Sequence, residues 1–143
     1  MSWSVEHVRV AKVQPHEVFR YYTDPSTWHR WGHNTRWARL EGPYVEGATV
    51  LVRAGYEKVW PVRVLRVVPD SLVVNEVHPV GLVVINTFEV SPVDDGAQLR
   101  HRIDVSGRFA RFYGLFLPGL YRRLLGKETR RLVEAITADR PVS

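Results

Sequence analysis

The sequence predicts an α+β domain in which one curved antiparallel sheet of about seven strands wraps a long C-terminal helix. Three observations carry this. Residues 35–106 form a succession of short valine-rich runs, poor in helix formers and broken by turn residues. Residues 117–136 instead place Leu117, Leu120, Tyr121, Leu124, Leu125, Leu132, Ala135 and Ile136 at helical spacing. The breaks between consecutive runs are too short for helical crossovers, which makes neighbouring strands antiparallel. The long helix is the one element large enough to cover the apolar face of such a sheet.

The first strand is read over residues 3–13. Trp3, Val5, His7, Arg9, Ala11 and Val13 alternate onto one face, and Val8 and Val10 onto the other. Pro15 suits a first helical turn, and Val18, Phe19 and Tyr22 follow at helical spacing. Asp24-Pro25 ends that short helix, and Ser26 opens a second short helical segment through Trp28 and Trp31. Six strands follow at residues 35–40, 48–54, 58–68, 72–78, 82–90 and 98–105. Glu46-Gly47, Pro69-Asp70-Ser71 and Asp94-Asp95-Gly96 are among the turns between them. Gly114 and Pro118 precede the final helix, which runs about five to six turns at roughly 3.6 residues per turn. One helix does not fill the hollow of so curved a sheet. A cavity for a small ligand is therefore expected beneath it.

With 143 residues, 45% of them hydrophobic, the chain is one domain, read as residues 1–139 with a tail at 140–143. It contains no cysteine, which excludes disulfides, thiolate metal sites and thiol catalysis. The charged, alternating N-terminus is not a secretory signal, and the apolar runs are far short of a membrane span, so a soluble cytoplasmic protein is expected. The net charge of +5 is concentrated late. Residues 98–143 carry ten basic and four acidic side chains. Arg122, Arg123, Arg130 and Arg131 form either an ordinary solvated helix face or a weak membrane-surface contact. No nucleic-acid motif accompanies the charge, so no nucleic-acid partner is expected.

Several segments together carry a family resemblance. They are Pro15-His16-Glu17-Val18-Phe19, Thr23-Asp24-Pro25-Ser26-Thr27-Trp28-His29-Arg30-Trp31, Trp60 ahead of a valine-rich strand ending at Val68-Pro69, Phe88-Glu89-Val90-Ser91-Pro92 before the Asp-Asp-Gly turn, residues 99–107, and the last helix. In this order the sequence resembles the polyketide cyclase/dehydrase-like branch of the START and birch-pollen-allergen-like (SRPBCC) superfamily, which implies the helix-grip fold. The superfamily includes cyclases, lipid carriers, hormone receptors and co-chaperones, so the fold alone does not select a reaction.

Strand alternation nominates side chains for the hollow. Phe88 and Val90 facing inward bring Val84 and Asn86 with them. Leu99 brings His101, and Leu72 with Val74 brings Glu76. Glu76, Asn86 and His101 are the catalytic candidates. An imidazole base and an amide or tyrosine donor suit ring-closing condensation or dehydration. The competing reading is that the three satisfy one another or nearby backbone. Trp28, Trp31, Trp60, Phe88, Leu124 and Glu128 are the ligand-lining candidates, with Gly126 leaving room beside them. Gly32 interrupts the pair His29 and His33, and no carboxylate completes a site, so no metal is expected. No nucleotide-binding or nucleophile motif appears, and no cofactor is expected. The two functional expectations are a cyclase/dehydrase-like enzyme acting on a small apolar or aromatic molecule, and a non-catalytic carrier or sensor of a lipid, quinone or similar ligand. Either a monomer or a homodimer is compatible with both.

Overall fold

The computed structural model describes residues 2–55, 58–79, 81–114 and 117–141. Its elements run β1 (Trp3–Ala11), α1 (Pro15–Tyr22), a 3₁₀ turn (Pro25–Thr27), α2 (Trp28–Trp31), β2 (Thr35–Arg39), β3 (Thr49–Ala54), β4 (Lys58–Val68), β5 (Leu72–Val77), β6 (Val83–Val93), β7 (Gly96–Ser106), α3 (Ala110–Tyr113) and α4 (Leu117–Ala138). The seven strands form one sheet in the order β1-β7-β6-β5-β4-β3-β2. Every adjacent pair is antiparallel. This is the α+β helix-grip arrangement expected from the sequence, with α4 laid across the concave face. The short α3 was not foreseen.

The hairpin turns match their chemistry. Asp95 (φ +64°) and Asp70 (φ +58°) adopt the left-handed conformation that aspartate tolerates in tight turns. Gly96, which opens β7, is required for a different reason. A Cβ there would lie 2.1 Å from the carbonyl oxygen of Ala11, so only glycine lets β7 start against β1. A bulge in β4 between Val64 and Arg66 breaks the pairing with β5 and bends the sheet.

The C-terminal end of α4 is clamped to the first helices. Asp139 takes a bidentate pair from Arg30 at 2.6 and 2.9 Å and a hydrogen bond from the Tyr21 hydroxyl. Arg140, which the sequence assigned to a tail, donates to Glu17 and to the Lys12 carbonyl.

Under α4 the concave face divides into two apolar clusters. One gathers Val5, Val84, Ile103, Val105, Ala110 and Leu125. The larger includes Val18, Tyr22, Trp28, Trp31, Val50, Val73, Phe88, Leu99, Leu132 and Ile136. Between them the four neighbouring strands β1, β7, β6 and β5 each turn a polar residue to this face: His7, His101, Asn86 and Asn75, with Asn86 diagonal to His101, whose register partner on β6 is Phe88. His7 lies opposite His101, and Asn86 opposite Asn75. Gly126, Glu128 and Thr129 of α4 occupy the corresponding stretch of the helix. A polar seam thus crosses the grip between two dry regions.

Candidate active-site cavity

A cavity of about 140 Å³ opens at the α2 end of this seam. Tyr22, Trp28, Trp31 and Phe88 supply its aromatic walls, and Val52, Val62 and Val77 its aliphatic ones. Trp31 packs edge to face on Tyr22 and on Phe88, each at 6.0 Å, and Tyr22 lies tilted on Phe88 at 4.9 Å. Both cavity tryptophans spend their N–H groups on the protein. Trp28 donates to the Tyr22 carbonyl, and Trp31 to the Thr27 hydroxyl, each at 3.2 Å. They offer the cavity apolar surface.

The polar side chains on this half-open cavity are Asn75, Asn86 and Glu128, together with Thr35 and His33. Asn75 is only 5% exposed. Its Oδ1 accepts the Tyr44 hydroxyl proton at 2.7 Å. Asn86 Oδ1 lies 2.9 Å from His101 Nε2, which pairs it with the Nε2–H tautomer of a neutral imidazole. Glu128 Oε1 accepts the backbone N–H of His33 at 3.2 Å. Burial raises the Glu128 carboxyl to a pKa of about 7, against the opposing pull of that N–H and of Arg131. At neutral pH this carboxyl exists in both protonation states.

Several expected site residues lie elsewhere. His101 is buried on the concave face, as the alternation predicts, but it does not line the cavity. It stacks on Phe88, with centroids 4.1 Å apart, and bonds to Asn86. Desolvation, then the charge of His7, lowers its pKa to about 3. A nitrogen so reluctant to take a proton is a poor general base at neutral pH. Its role here is to hold Asn86.

Glu76 is on the other face of the sheet. Its register partners are Ile85 on β6 and Arg63 on β4, and its carboxylate contacts His78 at 2.7 Å. The inward residues of β5 are Val73, Asn75 and Val77. The run Leu-Val-Val-Asn-Glu-Val is apolar on both faces, so its pattern does not declare which alternate set is buried. Asn75 is the residue missed by that ambiguity. The signal that would have found it is its direct pairing with Asn86.

Trp60 stands on the concave side opposite Val52, outside the cavity lining, with the Lys58 ammonium 5.2 Å from its ring centroid. Leu124 sits on the flank of α4 and also lies outside the lining. The buried stripe instead runs through Leu125, Thr129, Leu132, Ala135 and Ile136. The space at Gly126 belongs to His7: a Cβ there would meet the imidazole at 3.4 Å. His29 and His33 are both exposed. A wider hollow of about 960 Å³ lies outside the grip, among Thr23–Ser26, Ala38–Gly42, Tyr44 and the start of β3. Leu40, Tyr44 and Leu51 are among its apolar lining residues.

On α4, Arg122, Arg123 and Arg130 are exposed, and Arg130 lies 3.8 Å from Glu134. Among the described residues no helix is long and apolar enough to cross a membrane.

The comparisons agree with this architecture. The chain is similar in structure to protein MLL2253 of Mesorhizobium loti, with a TM-score of 0.75 and 19% identity over 97% of this chain and 100% of the other. It is similar to Ara h 8.0201, with a TM-score of 0.73 and 9% identity over 97% and 100%. It is also similar to norcoclaurine synthase from Thalictrum flavum, solved with dopamine and hydroxybenzaldehyde, with a TM-score of 0.75 and 10% identity over 99% and 90%. At these identities the likeness establishes the fold alone. No curated protein matches the sequence. A family model described as "Polyketide cyclase / dehydrase and lipid transport" matches residues 2–138, nearly the whole chain, and the protein therefore belongs to that family.

Proposed function

We propose that the protein binds a ring-sized apolar or aromatic molecule in the cavity at the α2 end of the grip and transfers a proton to or from it through Glu128. The observation that carries this reading is the composition of the cavity wall. It is mostly aromatic and aliphatic, with one carboxyl, two amides, Thr35 and His33 on the same space. A carboxyl whose pKa sits near 7 is matched to proton transfer at neutral pH. Such a transfer next to a carbonyl is the step that ring-closing condensation and dehydration have in common, which fits the family. No cofactor is needed for it.

Cavity size favours this reading over a lipid or quinone carrier. An apolar cavity of about 150 Å³ holds one benzene, and this one is about 140 Å³. A lipid chain or a tailed quinone would have to extend through its open side into solvent. Cyclohexanone, a ring-sized ketone, provides the test. Incubated in D₂O at pH 7, it should lose its α-hydrogens to deuterium faster with the protein than without it. Glu128→Gln should reduce that acceleration by about a hundredfold or more. Binding without accelerated exchange would leave a carrier, and native mass spectrometry of gently purified protein would then identify its cargo.

Contact with a membrane surface is a separate proposal. It is supported by Phe112 and Leu120, both exposed, in a region that also presents Arg111, Arg122 and Arg123 to solvent. Reversing Arg122 and Arg123 to glutamate should weaken association with phosphatidylserine vesicles, and unchanged association refutes the idea.

A further inference from the structure

We infer that Asn75 and Asn86 form a paired amide site for a ligand oxygen that carries negative charge, which makes the substrate class a ring-sized carbonyl compound reacting through its enolate. The inference rests on the cavity reading above and adds to it the group that the cavity recognises.

The geometry begins with register. Asn75 and Asn86 are directly opposed on β5 and β6. Opposed residues of an antiparallel pair share a face, with Cβ atoms about 5 Å apart. Both side chains line the cavity. Each amide has one acceptor and a two-hydrogen donor. Each acceptor is already engaged, Asn75 Oδ1 by the Tyr44 hydroxyl and Asn86 Oδ1 by His101 Nε2. Those two bonds fix which way each amide is turned and leave the NH₂ groups as the free ends. Neither Nδ2 has a protein partner among the described residues; Asn75 as a residue is 5% exposed and Asn86 is half-buried.

Neither donor is among the fully buried unpartnered atoms, so both open onto the cavity, side by side, where an acceptor from outside can reach them. The surroundings select what kind. The braces, Tyr44 and His101, are both held neutral by burial, the tyrosine with its pKa raised and the histidine with its pKa lowered. The site therefore offers dipoles rather than a competing charge. Two amide N–H groups in a largely apolar cavity stabilise an oxygen more as it gains charge.

The proton transfer then balances as follows. The Glu128 carboxylate takes the proton on the carbon next to a ligand carbonyl. The C–H electron pair becomes the C=C bond of the enolate. The C=O π pair moves to oxygen, where the two amide N–H groups receive it. Asn75 and Asn86 are catalytic residues in this scheme, and Tyr44 and His101 are positioning residues.

The test uses two probes, toluene and 4-nitrophenol, on the intact protein at pH 6. Toluene reports the apolar cavity. The nitrophenolate absorbance reports whether an anionic oxygen is stabilised there. Toluene should bind wild type, Asn75→Leu and Asn86→Leu with similar affinity. The bound fraction of 4-nitrophenol present as phenolate should fall about tenfold in each variant, the loss of one hydrogen bond to a charged group. A second readout needs no variant. The side-chain ¹⁵N–¹H₂ resonances of Asn75 and Asn86, assigned through their own backbones, should shift with 4-nitrophenol and stay in place with toluene. Toluene binding, with nitrophenol ionisation equal in all three proteins or unmoved amide resonances, overturns the amide site and leaves the cavity reading standing. If neither probe binds, the cavity reading falls and this inference falls with it.

Discussion

The interior under α4 has a dry end and a wet end, built by the same strands. Around Leu125 the helix meets Val5, Val84, Ile103, Val105 and Ala110, and the cluster is closed. Two residues further along β6 and β5 the inward positions become Asn86 and Asn75, the helix presents Glu128, and a cavity opens. The strands alternate identically through both regions, so the fold does not decide where the ligand space lies. Side-chain choice at one level of the sheet decides it. Apolar neighbours collapse onto each other, while braced amides keep their distance, since collapse would bury their donors without partners.

The difference is sharpest where packing is complete. Leu132 is 2% exposed and packs within the larger apolar cluster. Leu132→Ala should cost about 3 kcal/mol, with a range of roughly 2 to 5, in urea unfolding at pH 7. A cost under about 1 kcal/mol would mean that this part of the grip is loosely packed after all.

The seam should respond to pH instead. Burial raises Glu128 above its ordinary value of 4.5 to about 7. The folded protein thus binds more protons than the unfolded chain between those values, and stability falls as pH rises through that window. Glu128→Gln keeps an acceptor for the His33 N–H and removes the titration. The variant should gain on the order of 2 kcal/mol over wild type at pH 8 and nothing at pH 4. A constant difference at both pH values would show that Glu128 titrates normally.

His101 works in the opposite sense. Its folded pKa of about 3 lies below the ordinary 6.5, so the unfolded chain binds the extra proton and stability falls as pH drops through that interval. His101→Gln removes this dependence. It should cost about 1 to 2 kcal/mol at pH 7, from the lost stacking and hydrogen bond, and the gap to wild type should narrow as pH falls towards 4. A gap that is flat from pH 7 to pH 4 would contradict the lowered pKa.

The sequence made the dry regions legible and the wet one only partly so. Alternation over Phe88, Val90 and Leu99 correctly turned Asn86 and His101 inward, since each of those strands has a clear apolar set. β5 carries apolar residues on both faces, and the wrong set was chosen, giving Glu76 in place of Asn75. Glu128 was visible as a charge on an apolar stripe. Its raised pKa was not, because that depends on how deeply α4 settles into the sheet. Tyr44, in the loop between β2 and β3, reaches Asn75 across 31 residues of sequence, and no local pattern announces such a contact. His101 illustrates the converse. Its direction was readable, but its role depends on Phe88 and Asn86 standing beside it.

The smallest expected effect lies outside the seam, at the clamp that sets the depth of α4. Hydrogen bonds from Arg30 and then Tyr21 hold the Asp139 carboxyl at about 2, below its ordinary 3.8. A depressed carboxyl contributes stability that is complete above the unfolded value and disappears as pH falls through the folded one. Asp139→Asn should therefore lower stability slightly and by a constant amount above pH 4, and the two proteins should converge as pH falls towards 2. Acid unfolding at low ionic strength would measure this, because both partners are solvent-accessible and salt weakens the pair. The clamp also bears on the cavity, since Asp139 directly follows the helix that carries Glu128. If the helix end loosens in Asp139→Asn, the carboxyl of Glu128 gains access to water and its pKa should drift down from 7. A variant that loses the ion pair yet leaves the Glu128 titration unmoved would show that the depth of α4 is set by the apolar stripe alone.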